Sequence, residues 1–323
     1  MKIQPRLTGI FTPSEAALQE AIDIKYRRKP KKNLEEVFFA DTQELIKLQR
    51  DSGFKLISDG QRLWGDLLRP VYDGMIGVIT GSMTRWYETN GFCFPPRVVS
   101  KVLTNISKVN DYLFREDGEI KANQVTLPGP YTLLRMSQEV SKKGKDGLLK
   151  AYAHQLQEIV AALPATISLV EFTEPSIPFD YKTKTLSEPG RQRLLQQTLQ
   201  AYQQLRDSTS AKILLQLPQG DFFRFPEILD FPVDGFGIDL TETVGLSTSI
   251  DLKGKILSAG IVDAWSSTPE DTECLVKKMD LVIARWQPGD VYITSNSQLY
   301  QTISHQGAIQ KSQDIAELAQ RLA

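Results

Sequence analysis

Cysteine and histidine are scarce in this chain, with two of each among 323 residues. Cys93 and Cys274 stand far apart without a Cys-x-x-Cys spacing, which argues against a disulfide framework and a thiolate zinc site. Both read as inert thiols. His154 falls in the helix-like stretch Ala151 to Gln155 and His305 in a polar tail, so neither sits at a strand end or beside a cysteine. That leaves a Ser-His-Asp or Cys-His arrangement, and a zinc site built on imidazole, without support. Net charge is also missing: 38 Lys and Arg face 39 Asp and Glu, so no global field draws the chain to nucleic acid or to an anionic membrane. No apolar run reaches the roughly 18 to 20 residues of a membrane span. The start, Met1-Lys2-Ile3-Gln4-Pro5, lacks the apolar stretch of a signal peptide, and a cytoplasmic location is expected. No Gly-x-Gly-x-x-Gly follows an early strand, and no Gly-rich loop carries a Lys and a hydroxyl residue.

What the chain does have is one alternation repeated from end to end. Apolar runs suited to buried parallel strands are Arg6 to Phe11, Lys55 to Asp59, Asn123 to Leu127, Ile167 to Glu174, Lys212 to Leu217, Gly235 to Leu240, Ile256 to Asp263 and Asp290 to Ser295. Helical spacing recurs between and beyond them, in Ser14 to Tyr26, Leu34 to Ser52, Leu148 to Leu163, Gly190 to Asp207, Pro269 to Trp286 and Ser312 to Leu322. This pattern predicts an α/β chain folded as a (β/α)8 barrel, a single unit over 1–323 with a long insertion after the second strand at about 61–120.

Barrel chemistry gathers at the carboxyl ends of the strands. Carboxylates occur at five of those ends, Asp59, Glu174, Asp221, Asp239 and Asp263. A converging set implies a polar ligand, a hard cation such as magnesium, or arginine partners such as Arg62 and Arg85. The alternative is a network of Asp, Arg and backbone groups that satisfies itself. Gln216, Trp265 and Asn296 stand at further strand ends. The insertion carries Met83-Thr84-Arg85-Trp86-Tyr87-Glu88-Thr89-Asn90, which follows neither helical nor strand alternation. It reads as a ligand-site loop, since a flat aromatic beside a guanidinium clamps a planar or anionic ligand, or as a surface loop with an interfacial Trp. Lys25-Tyr26-Arg27-Arg28-Lys29-Pro30-Lys31-Lys32 places six positive charges in eight residues, suited to a polyanionic tail or to a solvated loop.

The order of Met83 to Asn90, then Leu127-Pro128-Gly129-Pro130-Tyr131-Thr132, Glu174-Pro175 and Phe231-Pro232-Val233-Asp234-Gly235-Phe236-Gly237-Ile238-Asp239-Leu240 resembles cobalamin-independent methionine synthase. It is similar to that enzyme's amino-terminal barrel over about Leu7 to Leu299. The resemblance implies a barrel of the methionine synthase and uroporphyrinogen decarboxylase-like type. In the family the second barrel holds zinc through a His-x-Cys pair, a Glu and a Cys. The corresponding positions here are Gln216-Leu217-Pro218, Asp239 and Ser297, so no soft ligand remains. The family's basic first helix, which meets the folate tail, is replaced by Pro13 to Glu20 without Lys or Arg, and Arg27, Arg28, Lys29, Lys31 and Lys32 offer a substitute.

The resemblance implies a stand-alone barrel that binds no cofactor itself. It would act with a separate zinc-bearing, carboxyl-terminal-type barrel in methyl transfer to homocysteine, from a folate or methylcobalamin. Asp59, Glu174, Asp239 and Asp263 are then the candidate catalytic groups. Arg62, Arg85, Trp86, Asn90, Gln216, Trp265 and Asn296 are the candidate binding groups. An independent catalyst using the carboxylates, and a non-catalytic scaffold, stay open beside this reading.

Overall fold

A computed structural model of the chain describes residues 1–26, 28, 32–89, 91–103, 109–139, 145–248, 250–301 and 304–323. Seven strands form one all-parallel sheet: β1 (Ile3–Pro5), β2 (Gln124–Pro128), β3 (Leu169–Thr173), β4 (Lys212–Leu217), β5 (Gly235–Asp239), β6 (Ile256–Val262) and β7 (Asp290–Ser295), in the order β1-β7-β6-β5-β4-β3-β2. The sheet curls until its two edge strands, β1 and β2, flank a single gap. Arg6, just past β1, reaches Gln124 on the opposite edge strand at 2.9 Å and Ser258 of β6 at 3.0 Å, and it pairs with Glu171 of β3.

The gap between β1 and β2 is filled by the segment predicted as the second strand, Lys55 to Asp59, which forms no ladder. Its backbone is paired largely with side-chain amides. Gln49 accepts from the Ser58 N–H at 2.9 Å and donates to the Ser58 carbonyl at 2.7 Å. Asn123 accepts from the Ile57 N–H at 2.7 Å, and Gln61 exchanges two bonds with the Thr126 backbone at 2.8 and 2.9 Å. An apolar run predicts burial; it does not predict that amide side chains take the place of a neighbouring strand. The first ladder is likewise earlier than expected, at Ile3–Pro5 rather than Arg6 to Phe11, although the Arg6 N–H still donates to the Ile293 carbonyl at 2.9 Å.

Strand alternation separates two layers of apolar side chains. Val125, Val170, Phe172, Ile213, Leu215, Phe236, Ile238, Leu257 and Ile293 face outward into the main core. Leu169, Leu214, Ile256 and Tyr292 face inward and form a separate cluster with Leu56, which makes the fifty-fifth to fifty-ninth positions a stave of the barrel wall. The outer layer is covered by helices that include α1 (Glu15–Lys25), α2 (Lys32–Asp51), α3 (Pro130–Met136), α4 (Lys145–Ala161), α5 (Glu188–Asp207), α6 (Thr272–Trp286) and α7 (His305–Leu322). Helix α6 starts later than its apolar pattern suggested because Asp271 caps it, accepting from the Cys274 N–H at 3.1 Å. Helix α7 starts earlier: Ser304 caps it, and His305 belongs to its first turn rather than to a tail.

Residues 61–120 fold into a helix at Arg69–Tyr72, an antiparallel pair of Ile76–Thr80 with Pro96–Leu103, and hairpins joining Thr84–Arg85 to Phe92–Cys93 and Arg115–Glu116 to Glu119–Ile120. Buried Trp64, Leu68, Val71, Tyr72 and Val98 tie this region to the main core. Among the described residues no helix is long and apolar enough to cross a membrane.

Candidate functional site at the barrel mouth

Above the apolar floor, the inward positions turn polar. Gln124 and Thr126 of β2, Glu171 and Thr173 of β3, Gln216 of β4 and Ser258 of β6 are all buried. The Arg6 guanidinium is fully enclosed, donating to Gln124, Ser258 and Glu171, and Thr8 donates to the other Glu171 oxygen at 2.6 Å. This pair fills the middle of the barrel. A buried ion pair of this kind persists because each nitrogen of the guanidinium and each oxygen of the carboxylate has at least one partner.

The mouth lies above it. Thr8, Thr126, Glu171, Thr173, Gln216 and Ser297 line a pocket that Trp86 and Leu67 of the insertion help to enclose, with a volume of about 10 Å³. That is room for about one water molecule. Trp86 is 5% exposed, held by a tight turn in which its N–H donates to the Gly91 carbonyl at 2.8 Å and its carbonyl accepts from the Thr89 hydroxyl at 2.6 Å. Tyr87, the next residue, takes a left-handed φ of 51° and its hydroxyl meets that of Ser176. Gln216 lies over Gly237, where a Cβ would stand 1.7 Å from its Oε1. Both polar atoms of the Gln216 amide are buried without a partner among the described residues. Leaving them so is costly, which marks this amide as a group for a ligand or an ordered water in the pocket.

The expected ring of carboxylates does not converge there. Each one is taken up close to where it arises. Glu174 is fully buried at the amino end of α3 and accepts from the N–H groups of Tyr131 at 3.0 Å and Thr132 at 2.6 Å. Burial pushes its pKa up to about 7. Gly129 makes room for it, since a Cβ there would fall 2.1 Å from Glu174 Oε1. Asp59 accepts from the Gln61 N–H at 2.8 Å and the Phe114 N–H at 3.0 Å, which anchors the insertion, and burial raises its pKa. Asp239 accepts from Gln219 N–H at 3.0 Å, Thr241 N–H at 2.9 Å, the Thr241 hydroxyl at 2.7 Å and Glu242 N–H at 3.2 Å. Burial still lifts it to about 6. Asp263 accepts from the Trp265 N–H at 2.9 Å. Asn296 accepts from Ala264 N–H and donates to the Thr241 hydroxyl, both at 2.9 Å, and so stitches three strand-end loops together. Among the described residues no group of three or more His, Cys, Asp or Glu is placed to hold a metal ion.

The remaining expected residues scatter. Arg62 is buried against Asp41 and the Phe11 ring, away from the mouth. Arg85 is exposed on the rim of a groove with Tyr87, Arg135 and Phe179, while Trp265 is half-buried against the core. Arg28 reaches Asp23 at 3.4 Å and covers the Tyr26 ring. Arg27, Lys29, Lys31 and Asn90 lie outside the described residues, and Lys32 opens α2. Arg6, Thr8, Thr126, Glu171 and Thr173, which build the interior, lie within the expected strands but are not among the expected site residues. Their signal is the polar residue at every second position of otherwise apolar strands, as in Gln124-Val125-Thr126 and Leu169-Val170-Glu171-Phe172-Thr173.

Residues 73–282 match the family model described as cobalamin-independent synthase, N-terminal domain. The chain belongs to this family. Relatives of this cobalamin-independent synthase domain include the 5-methyltetrahydropteroyltriglutamate–homocysteine methyltransferases of Bacillus velezensis, 22% identical over 68% of this chain, and of Actinobacillus pleuropneumoniae, 25% identical over 56%. The chain spans about a quarter of the length of these relatives, 28% and 23% respectively. Among solved structures, a B12-independent methionine synthase from Shewanella sp. W3-18-1 in complex with selenomethionine superimposes with a TM-score of 0.77 at 14% identity, over 99% of this chain and 98% of that one. A putative vitamin-B12 independent methionine synthase from Listeria monocytogenes gives 0.79 at 12% identity, over 100% and 99%. These likenesses establish the curled-sheet barrel fold.

Zinc does not suit the residues at this domain's strand ends. Where a thiolate-forming site needs soft ligands, Gln216 offers an amide, Ser297 a hydroxyl, and Asp239 a carboxylate already engaged in four hydrogen bonds.

Proposed function

We propose that this barrel is a component of a methionine synthase that works with a separate zinc-bearing barrel of the carboxyl-terminal type, with a folate as methyl donor. Its part is to position the donor across its mouth rather than inside it and to close one side of the reacting cleft, where positioning and exclusion of water matter more than acid or base chemistry. The observation that carries this reading is the mouth itself: about 10 Å³ in volume and walled in part by Trp86, it has no space for homocysteine and a methyl donor together. Independent catalysis by the strand-end carboxylates is disfavoured because Asp59, Glu174 and Asp239 are each held by two or more hydrogen-bond donors. The polar lining and the unpartnered Gln216 amide favour a component with a retained ligand contact over a bare scaffold. Solved chains of nearly equal length and the same fold support the single-barrel reading of 1–323, with its insertion at about 61–120.

The test is homocysteine methylation by the purified chain, alone and mixed with a zinc-containing carboxyl-terminal-type barrel, with methyltetrahydrofolate and methylcobalamin as alternative donors. Turnover only in the mixture, and only with the folate, is expected. Turnover by the chain alone sinks the proposal, and so does a mixture that neither associates nor turns over. Turnover with methylcobalamin alone would replace the folate by a corrinoid.

A further inference from the structure

A second recess lies on the flank of the barrel and shares no lining residue with the mouth. It is a cleft of about 710 Å³ between α2, the segment after the Asp59 turn, and the stretch from Asp111 to Arg115. That volume is in the range of pockets that enclose whole small molecules. Phe38, Phe39, Tyr112 and Phe114 give it aromatic walls, and the Phe39 and Phe114 rings pack with centroids 4.7 Å apart. Phe39 and Leu63, both 37% exposed, stand at its rim.

Arg62, Arg69 and Arg115 are among the lining residues, with Asp111 as the carboxylate of that lining, while Asp41, Asp59 and Glu44 stand near Arg62 behind the wall. Arg62 is 5% exposed, and its ion pair with Asp41 uses only Nη1, which also donates to the Thr12 carbonyl at 3.3 Å. Its Nε and Nη2 are buried without a hydrogen-bond acceptor among the described residues, as is Nε of Arg69, whose charge lies beside Asp66. Unused donors on guanidinium forks call for acceptor oxygens on a planar anion. The walls are also pinned. The Phe114 N–H is bonded to Asp59, the Tyr112 hydroxyl to Asp73 at 2.6 Å, and Gln43 of α2 to Glu116 at 2.8 Å, so little ordering is left for a ligand to impose.

We infer that this flank cleft is a binding site for a small molecule with a planar aromatic body and a terminal carboxylate or phosphate, the ring lying among Phe39, Tyr112 and Phe114 and the anion on Arg62 and Arg69. The two sources of the anion are separated by using 1-naphthoate and 1-naphthyl phosphate as probes, with the uncharged 1-naphthamide as the control. Binding to the full chain is measured by calorimetry and located by the methyl resonances of Leu63 and Leu113. At least one of the two anions should bind about tenfold or more tighter than the amide, the worth of one charge-assisted hydrogen bond. Arg69→Gln should weaken that anion about tenfold and leave the amide within about twofold. Leu63→Glu, a rim change that leaves the buried Arg62 pair intact, should weaken the anion as well by like-charge repulsion. Preference for the phosphate or for the carboxylate assigns the source. Equal binding of amide and anions, anion binding unmoved by both variants, binding that leaves the Leu63 and Leu113 methyls unshifted, or no binding by any probe would overturn the inference.

Discussion

The barrel mouth and the flank cleft are opposite solutions to the problem of polar groups inside a protein. In the mouth, carboxylates at the strand ends are consumed by backbone N–H groups, Trp86 lines one wall, and about 10 Å³ remains. Beside the cleft, Arg62 is buried and Arg69 half-buried, with donors unspent among the described residues, around about 710 Å³ of space walled by aromatic rings. The lesson is that the place in a barrel where chemistry is expected and the place with room for a ligand need not coincide. Here closure of the mouth by the insertion and opening of the cleft beside it arise from the same sixty residues, since Leu67 and Trp86 serve the first while Arg62, Leu63 and Arg69 serve the second.

The largest effect that would break this contrast comes from the ion pair beneath the mouth. Glu171→Ala leaves the Arg6 charge enclosed and unpaired, and should cost about 3–5 kcal/mol in urea unfolding. A loss below about 1 kcal/mol would mean that water already reaches the barrel interior. Trp86→Ala, which removes one wall, should cost about 3 kcal/mol or somewhat more, with a pocket several times larger in a crystal structure of the variant. If neither changes, Trp86 does not wall the mouth.

A third effect is a pH dependence. Glu174 titrates near 7 in the folded chain against a reference of 4.5, so between those values the folded state holds a proton that the unfolded state has released. The contribution of this group to stability is therefore full below pH 4.5, falls by up to about 3 kcal/mol as pH rises to about 7, and is flat above. Glu174→Gln should reduce that slope, most of all between about pH 6 and 7, and leave the part carried by Asp239, lifted to about 6, and by Asp59; an undiminished slope would show that Glu174 does not contribute to it. The smallest effect belongs to the basic run. Arg28→Ala removes an exposed pair with Asp23 and should shift stability by less than about 0.5 kcal/mol at moderate salt. A larger loss would place this arginine in a structural role.

Much of the fold was legible because burial on the outer face of a parallel strand writes itself as an apolar run. Lys212–Leu217 and Asp290–Ser295 appear at their expected bounds, and Gly235–Asp239 within one residue. The site was less legible. Acidic residues at strand ends look alike whether they await a ligand or cap a neighbouring turn. Only the positions of Thr132, Gln219 and Phe114 show that Glu174, Asp239 and Asp59 do the latter. Gln216, a candidate by its strand-end position, lines the mouth, whereas Arg85 and Arg62, expected as partners for the carboxylates, lie elsewhere.

The amino-acid sequence alone determined the family, through the Arg-Trp-Tyr loop and the Gly-Phe-Gly-Ile-Asp strand, and determined the alternation of strand and helix, because period and burial are local properties of a chain. It also excluded soft-metal chemistry at the strand ends, since ligand type is a matter of which residues are present. Only the tertiary structure decided that Gln49, Gln61 and Asn123 stand in for an eighth ladder, that Arg6 finds Glu171 165 positions away, and that Trp86 lines the mouth. Those outcomes rest on contacts between distant segments, whose energies depend on closing the barrel and appear in no window of the sequence.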